Sequence, residues 1–168
     1  MKKIMYHSSD VLFNCFDNSY IKDMGFHFGL KKHAYNNIDN IFIKKENDLV
    51  EWDEICYLYE CEIALKNTYK FILDCWNWSF EMVSICLNPQ KNSCKLFTIE
   101  EWEKIHNNND LVFEFKKKGY DSIEYHNTFE GDFNEASFIV FDSKNIKILK
   151  VYECKVIGRF LEISEINK

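Results

Sequence analysis

Arginine, proline and glycine are nearly missing from this chain. The single arginine, Arg159, is the only place from which a bidentate guanidinium clamp on phosphate or carboxylate could come. One proline and five glycines leave little room for a Gly-rich phosphate loop. No apolar run reaches the roughly 18 residues of a membrane-spanning helix, so no span is expected. The seven cysteines, at 15, 56, 61, 75, 86, 94 and 154, are odd in number and form no Cys-x-x-Cys pair. Neither a zinc site nor a disulfide framework is expected from them. Met1-Lys2-Lys3 leads into a short apolar run broken by His7 and Asp10, which is not the pattern of a secretory leader. Reduced thiols and a cytoplasmic location are therefore the expectation. Positive charge is also short. The formal net charge of −6 does not draw polyphosphate backbones by bulk field, so a nucleic-acid partner is not expected.

Apolar material is plentiful. Hydrophobic residues make up 46% and aromatic residues 17% of the 168 positions, with 15 Phe and 9 Tyr. That suffices for one packed core, and residues 1–168 are expected to form a single α+β domain.

Residues 3–7 read as a strand ending at a polar turn, Ser8-Ser9-Asp10. Residues 11–24 read as a loop holding Phe13 and Phe16 and closed by Gly25. Phe26-His27-Phe28 is a brief aromatic run between Gly25 and Gly29. Leu30, Ala34 and Ile38 recur at a spacing of four, predicting a helix over 30–38. Residues 56–66 alternate like a strand, with Tyr57, Tyr59, Cys61, Ile63 and Leu65 as the buried parity. Residues 77–87 predict a helix stopped by Asn88-Pro89. Thr98 and Glu101 form a capping-box signature for a helix carrying Trp102 and Ile105. The run Asn107-Asn108-Asn109 interrupts it. A further helix over roughly 110–118 ends at three lysines and Gly119. Strands are expected over 122–125, 137–141 and 147–157, with a loop at 127–136. His33 and His106 read as surface residues. Cys75 and Trp76-Asn77-Trp78 read as core or as an exposed aromatic patch.

Three segments carry candidate chemistry. They are Tyr6-His7-Ser8-Ser9, then Gly25-Phe26-His27-Phe28-Gly29, then Gly119-Tyr120-Asp121-Ser122-Ile123-Glu124-Tyr125-His126-Asn127-Thr128-Phe129-Glu130-Gly131 with Ser137-Phe138-Ile139-Val140-Phe141-Asp142. Together and in this order they resemble the histidine-type ADP-ribosyltransferases: the poly(ADP-ribose) polymerases, the diphtheria-type toxins and small phage- or effector-encoded transferases. The segment Tyr59–Leu65 with Lys66-Asn67 resembles that family's middle strand as well. The likeness runs in order over most of residues 4–149. The arginine-type branch does not fit, since no arginine precedes Arg159.

The resemblance implies a split β-sheet core with flanking helices and transfer of ADP-ribose from NAD. It implies His7 as the residue holding a ribose hydroxyl, with Ser8 and Ser9 in the turn that meets the dinucleotide. Gly25, Phe26, His27, Phe28 and Gly29 would line the nicotinamide site. Glu130 would be the catalytic carboxylate, with Glu135 the alternative. Ser137 occupies the slot where the polymerase branch places its Glu, and Ser8 replaces a usual Gly. Breaking the bond between nicotinamide and ribose passes through a cation-like state, and a carboxylate can stabilise it.

Each residue also has a plainer reading. His7 could cap a strand through a backbone bond, Glu130 could be a solvated turn residue, and Phe26 and Phe28 could be core. The leading expectation is mono-ADP-ribosylation of a protein acceptor. By analogy alone this suits a phage, viral or bacterial effector or an anti-defence protein. A catalytically degenerate binding module and transfer to nucleic acid are the alternatives.

Overall fold

The first strand belongs to one sheet and touches the other. The computed structural model describes residues 1–21, 23–46, 55–71, 75, 78–90, 96–128, 135–157 and 160–166, with the backbone alone at 39–46, 156–157 and 160. Strands β1 (Lys2–Ser9), β3 (Ile55–Ala64), β7 (Ile146–Ile157) and β8 (Phe160–Glu165) form one antiparallel sheet in the order β1-β3-β7-β8. Strands β2 (Phe26–Phe28), β6 (Ala136–Val140), β5 (Ser122–His126) and β4 (Thr68–Phe71) form the second, in the order β2-β6-β5-β4. Within it β4 runs parallel to β5, and the other pairs are antiparallel.

The two sheets face each other across an apolar layer. Met5, Tyr59, Cys61, Ile63 and Val151 come from the first sheet, and Phe28, Phe138 and Val140 from the second. Helix α1 (Lys31–Glu46) covers the outer face of the first sheet, where Ala34 and Ile38 pack on Cys56, Leu58 and Cys154. Helices α2 (Phe80–Leu87), α3 (Ile99–Trp102) and α4 (Asn108–Lys117) cover the outer face of the second. There Val83, Leu87, Trp102, Leu111 and Phe115 meet Ile123, Tyr125, Ile139 and Phe141. The order of layers is helix, sheet, sheet, helices.

Local chemistry explains the helix ends. The Thr98 side chain accepts from the Glu101 N–H, and the Glu101 carboxylate accepts from the Thr98 N–H at 2.8 Å, a complete capping box for α3. Asn107 caps α4 by accepting from the Asp110 N–H at 3.0 Å, so the asparagine run opens that helix, whereas α3 has already ended at Trp102, short of Ile105. Gly119 leaves α4 at φ +87°, where a side chain would be strained, and its N–H bonds the Lys116 carbonyl.

Several sequence expectations are corrected. β1 continues through Ser8 and Ser9, which pair with Leu58 and Tyr57, so the turn starts later. β3 buries both parities in turn, because α1 covers Cys56 and Leu58 near its start while Tyr59, Cys61 and Ile63 further on face the other sheet. Tyr57 is only half-buried. α1 runs to Glu46 rather than ending near Ile38, and α2 starts at Phe80 behind its Ser79 cap. Cys75 and Trp78 are core residues, while Trp76 and Asn77 lie outside the described residues. Among the described residues no helix is long and apolar enough to cross a membrane.

Candidate functional site

β2 joins the two sheets, and the three candidate segments meet there. On one side the Tyr6 N–H bonds the Gly29 carbonyl at 2.9 Å and the Gly29 N–H bonds the Tyr6 carbonyl at 3.0 Å. On the other side Phe26, His27 and Phe28 pair with Val140, Ile139 and Phe138 of β6. Close approach explains the glycines that flank β2. A Cβ on Gly25 would stand 2.5 Å from the Val140 carbonyl oxygen. A Cβ on Gly29 would stand 2.8 Å from the His33 Cβ and 3.2 Å from the Ser137 Oγ.

His7 points into the layer between the sheets. Its Nδ1 lies 2.8 Å from the His27 carbonyl oxygen. A carbonyl only accepts, so Nδ1 carries the proton and Nε2 is left as an acceptor. The ring is enclosed by aromatic neighbours, with centroids 5.2 Å to Phe16, 5.7 Å to Phe28, and 6.2 Å to both Phe13 and Tyr59. Phe13 stacks on Tyr59 at 4.1 Å, and the Tyr59 hydroxyl holds that segment by accepting from the Phe13 N–H and donating to the Val11 carbonyl. Burial lowers the His7 pKa, against the opposing effect of the hydrogen bond to His27. The imidazole is therefore neutral at neutral pH, as a hydrogen-bond acceptor must be.

Strand alternation turns His27 the other way. Phe26 and Phe28 share the His7 side, where both contact Phe16. The His27 ring instead lies beside Trp78 and Tyr125, at centroid distances of 6.2 and 6.3 Å. Burial, and then the nearby His7 ring, push the His27 pKa down to about 4. The three β2 side chains thus line two surfaces rather than one. Trp78 holds a strained φ of +50°, and among the described residues no partner reaches its buried Nε1. Nothing in the periodicity of the sequence marked Trp78 or Tyr125 as neighbours of His27.

The third segment reaches β2 through a buried polar network that starts from His33. His33 is 1% exposed, which corrects its reading as a surface residue, whereas His106 is exposed. The His33 Nε2 donates to Glu135 at 2.8 Å, and its Nδ1 accepts from the Leu30 N–H at 3.3 Å. Ser137 Oγ lies 3.2 Å from that Nδ1 and accepts from the Asn127 amide at 3.1 Å. The other Glu135 oxygen pairs with Lys32 at 2.6 Å. Glu135 therefore fastens the start of α1 to the β5–β6 connection. Ser137 is wholly buried and serves that network. Glu130 lies outside the described residues, as does Arg159. Ser8 accepts from the Asn37 side chain of α1 at 2.8 Å, and the Ser9 hydroxyl accepts from the Val11 N–H at 3.1 Å.

No protein-family model matches the chain, and no curated protein matches it in sequence.

The buried Cys61 and Cys154 offer no nucleophile. Burial pushes the Cys61 thiol up to about 12 and the Cys154 thiol up to about 11, so both stay protonated at neutral pH. Among the described residues no group of three or more His, Cys, Asp or Glu side chains is arranged to hold a metal ion.

Proposed function

We propose that the chain is a mono-ADP-ribosyltransferase that takes ADP-ribose from NAD and passes it to a protein acceptor. One observation carries this reading. Segments 6–9 and 25–29, with Asn127, Glu135 and Ser137 of the third segment, are far apart in sequence, follow the order of the histidine-type transferases, and meet around the three-residue strand β2.

In this reading the His7 Nε2 accepts a hydrogen bond from a ribose hydroxyl, while the His27 carbonyl keeps the ring oriented. The bond between ribose and nicotinamide breaks with its electron pair leaving on nicotinamide. The Glu130 carboxylate stabilises the positive charge left on the ribose. The acceptor nucleophile then bonds the ribose carbon and gives up its proton. Phe13 and Phe16 stand against the His7 ring, so entry of the dinucleotide requires this segment to move outward.

The test is direct. The pure protein is incubated with NAD, nicotinamide release is followed, and candidate proteins are searched by mass spectrometry for an ADP-ribose adduct. Release that falls by about 10²-fold or more in Glu130→Gln and in His7→Ala supports the reading. Absence of release, with both variants unchanged, overturns it.

The engagement of Glu135 by Lys32 and His33 favours a second reading, a non-catalytic NAD-binding module. Saturable NAD binding with no nicotinamide release would select it.

A further inference from the structure

Three tyrosine rings lie around an exposed ammonium on the outer face of the first sheet, and a carboxylate holds two of them. Tyr6 on β1, Tyr152 on β7 and Tyr35 on α1 present their rings to the Lys31 Nζ at 5.9, 5.5 and 5.6 Å from the centroids. Glu60 on β3 accepts from both the Tyr6 and Tyr152 hydroxyls, each at 3.2 Å. This group lies on the opposite face of β1 from His7, and its argument does not rest on the transferase reading.

We propose that Tyr6, Tyr35, Tyr152 and Glu60 form a binding site for a methylated ammonium ion, filled in the free protein by Lys31. The distances favour a larger cation than the one present. All three lie near the outer end of the roughly 6 Å range over which a ring attracts a cation. Each N-methyl group extends the cation by about 1.5 Å of N–C bond, which closes the gap to the rings. Cages of aromatic rings are a known solution for quaternary ammonium, whose charge cannot be satisfied by hydrogen bonds. Glu60 adds a negative charge beside two of the rings, held there by the Tyr6 and Tyr152 hydroxyls.

Lys31 is a removable occupant. It is exposed, and it opens α1, where the helix dipole disfavours a cation. Its place is explained by the cage and not by the helix. Its neighbour Lys32 is tied to Glu135, so the start of α1 keeps one anchor when Lys31 swings out. Lys150, opposite Glu60 on β7, is occupied by Glu165 at 3.1 Å.

The ligand chemistry has two sources, a free quaternary amine or a methylated lysine on another protein. The experiment titrates tetramethylammonium chloride, and separately a short trimethyl-lysine peptide with its unmodified twin, followed by tyrosine NMR shifts at constant ionic strength. The proteins are wild type, Lys31→Ala, Lys31→Ala with Tyr35→Ala, and Lys31→Ala with Glu60→Gln. Circular dichroism checks each fold, and Lys31→Gln replaces Lys31→Ala if that variant does not fold. Removal of the internal competitor is expected to tighten tetramethylammonium binding by about tenfold or more. Loss of the Tyr35 ring or the Glu60 charge is expected to reverse that gain. Peptide binding at least about tenfold tighter than tetramethylammonium assigns the site to methylated lysine, and equal binding assigns it to a free amine; either supports the site. A folded Lys31 variant that shows no saturable binding overturns the proposal. So does binding that survives both the Tyr35 and Glu60 substitutions, because the cage would then be only an anchor for α1.

Discussion

The Nδ1 of His7 stands 2.8 Å from the carbonyl oxygen of His27, and this one contact settles which nitrogen carries the proton. It links a side chain of the first sheet to the backbone of the second. In the transferase reading it also fixes which nitrogen meets the ribose. His7→Asn keeps a donor in this position and His7→Phe does not. Nicotinamide release is expected to fall by about 10²-fold or more in His7→Phe, with a smaller loss in His7→Asn. Equal losses would remove the orienting role of the His27 carbonyl.

The two candidate carboxylates are expected to behave differently. Glu135 is already engaged by His33 and Lys32, so Glu135→Gln should cost about 1 kcal/mol of stability while leaving most of the turnover. Glu130→Gln should do the reverse. Thermal unfolding and nicotinamide release, measured on both variants, separate the roles. Loss of turnover confined to Glu135→Gln would transfer the catalytic part to Glu135.

His27 makes acid stability readable. Its pKa is pushed down to about 4 by burial and by His7, against an ordinary value of 6.5. Between those values the unfolded chain binds more protons than the native one. The stability contributed by a neutral His27 is thus complete above about 6.5 and is lost as pH falls toward about 4. Urea unfolding should show wild type losing about 3 kcal/mol more than His27→Gln between neutral pH and pH 4. Parallel losses would mean that the ring titrates alike in both states.

The Tyr59 hydroxyl holds the Phe13 segment by two hydrogen bonds. Tyr59→Phe keeps the stacked ring and removes both. Amide exchange at Phe13 should accelerate by about tenfold or more, with a stability cost of about 1–2 kcal/mol. An unchanged exchange rate would show that stacking alone holds the segment.

The glycines flanking β2 give a graded pair. Gly29→Ala meets the Cβ of the buried His33 at 2.8 Å, so α1 must shift slightly, and should cost about 1–3 kcal/mol. Gly25→Ala drives a Cβ to 2.5 Å from a backbone oxygen in the sheet and should cost more. A smaller effect at Gly25, measured by denaturant midpoints, would contradict the close approach of β2 to β6.

What the sequence made legible was the local part. The capping box at Thr98 and Glu101 and the glycine stop at Gly119 need only neighbouring residues, and both stand where expected. β2 was invisible as a strand because its three residues pair with β6, and the flanking Gly29 bridges to β1, both remote in the chain. β4 was missed for the same reason, since it pairs in parallel with β5 across three helices. In the inner stripe of α1, Ala34 and Ile38 are buried as expected, but Leu30 is 38% exposed and the buried His33 was missed. Only partners from the β5–β6 connection make a buried imidazole acceptable, and hydrophobic spacing carries no trace of them. The segment order around His7 was readable. The turning of His27 away from Phe26 and Phe28 follows from strand geometry, which a brief aromatic run did not disclose.

The bridge between Tyr6 and Gly29 has a consequence for solubility. β1 and β2 are each the outermost strand of their sheet, and each offers a row of main-chain groups that could recruit a strand from another molecule. By meeting at this bridge the two rims shield one another. The remaining rims are β8, with the charged Glu162 and Glu165, and the short β4 with its exposed Lys70. Weakening the bridge would therefore release two sticky edges at once, and self-association rather than simple unfolding is the expected first sign of damage there.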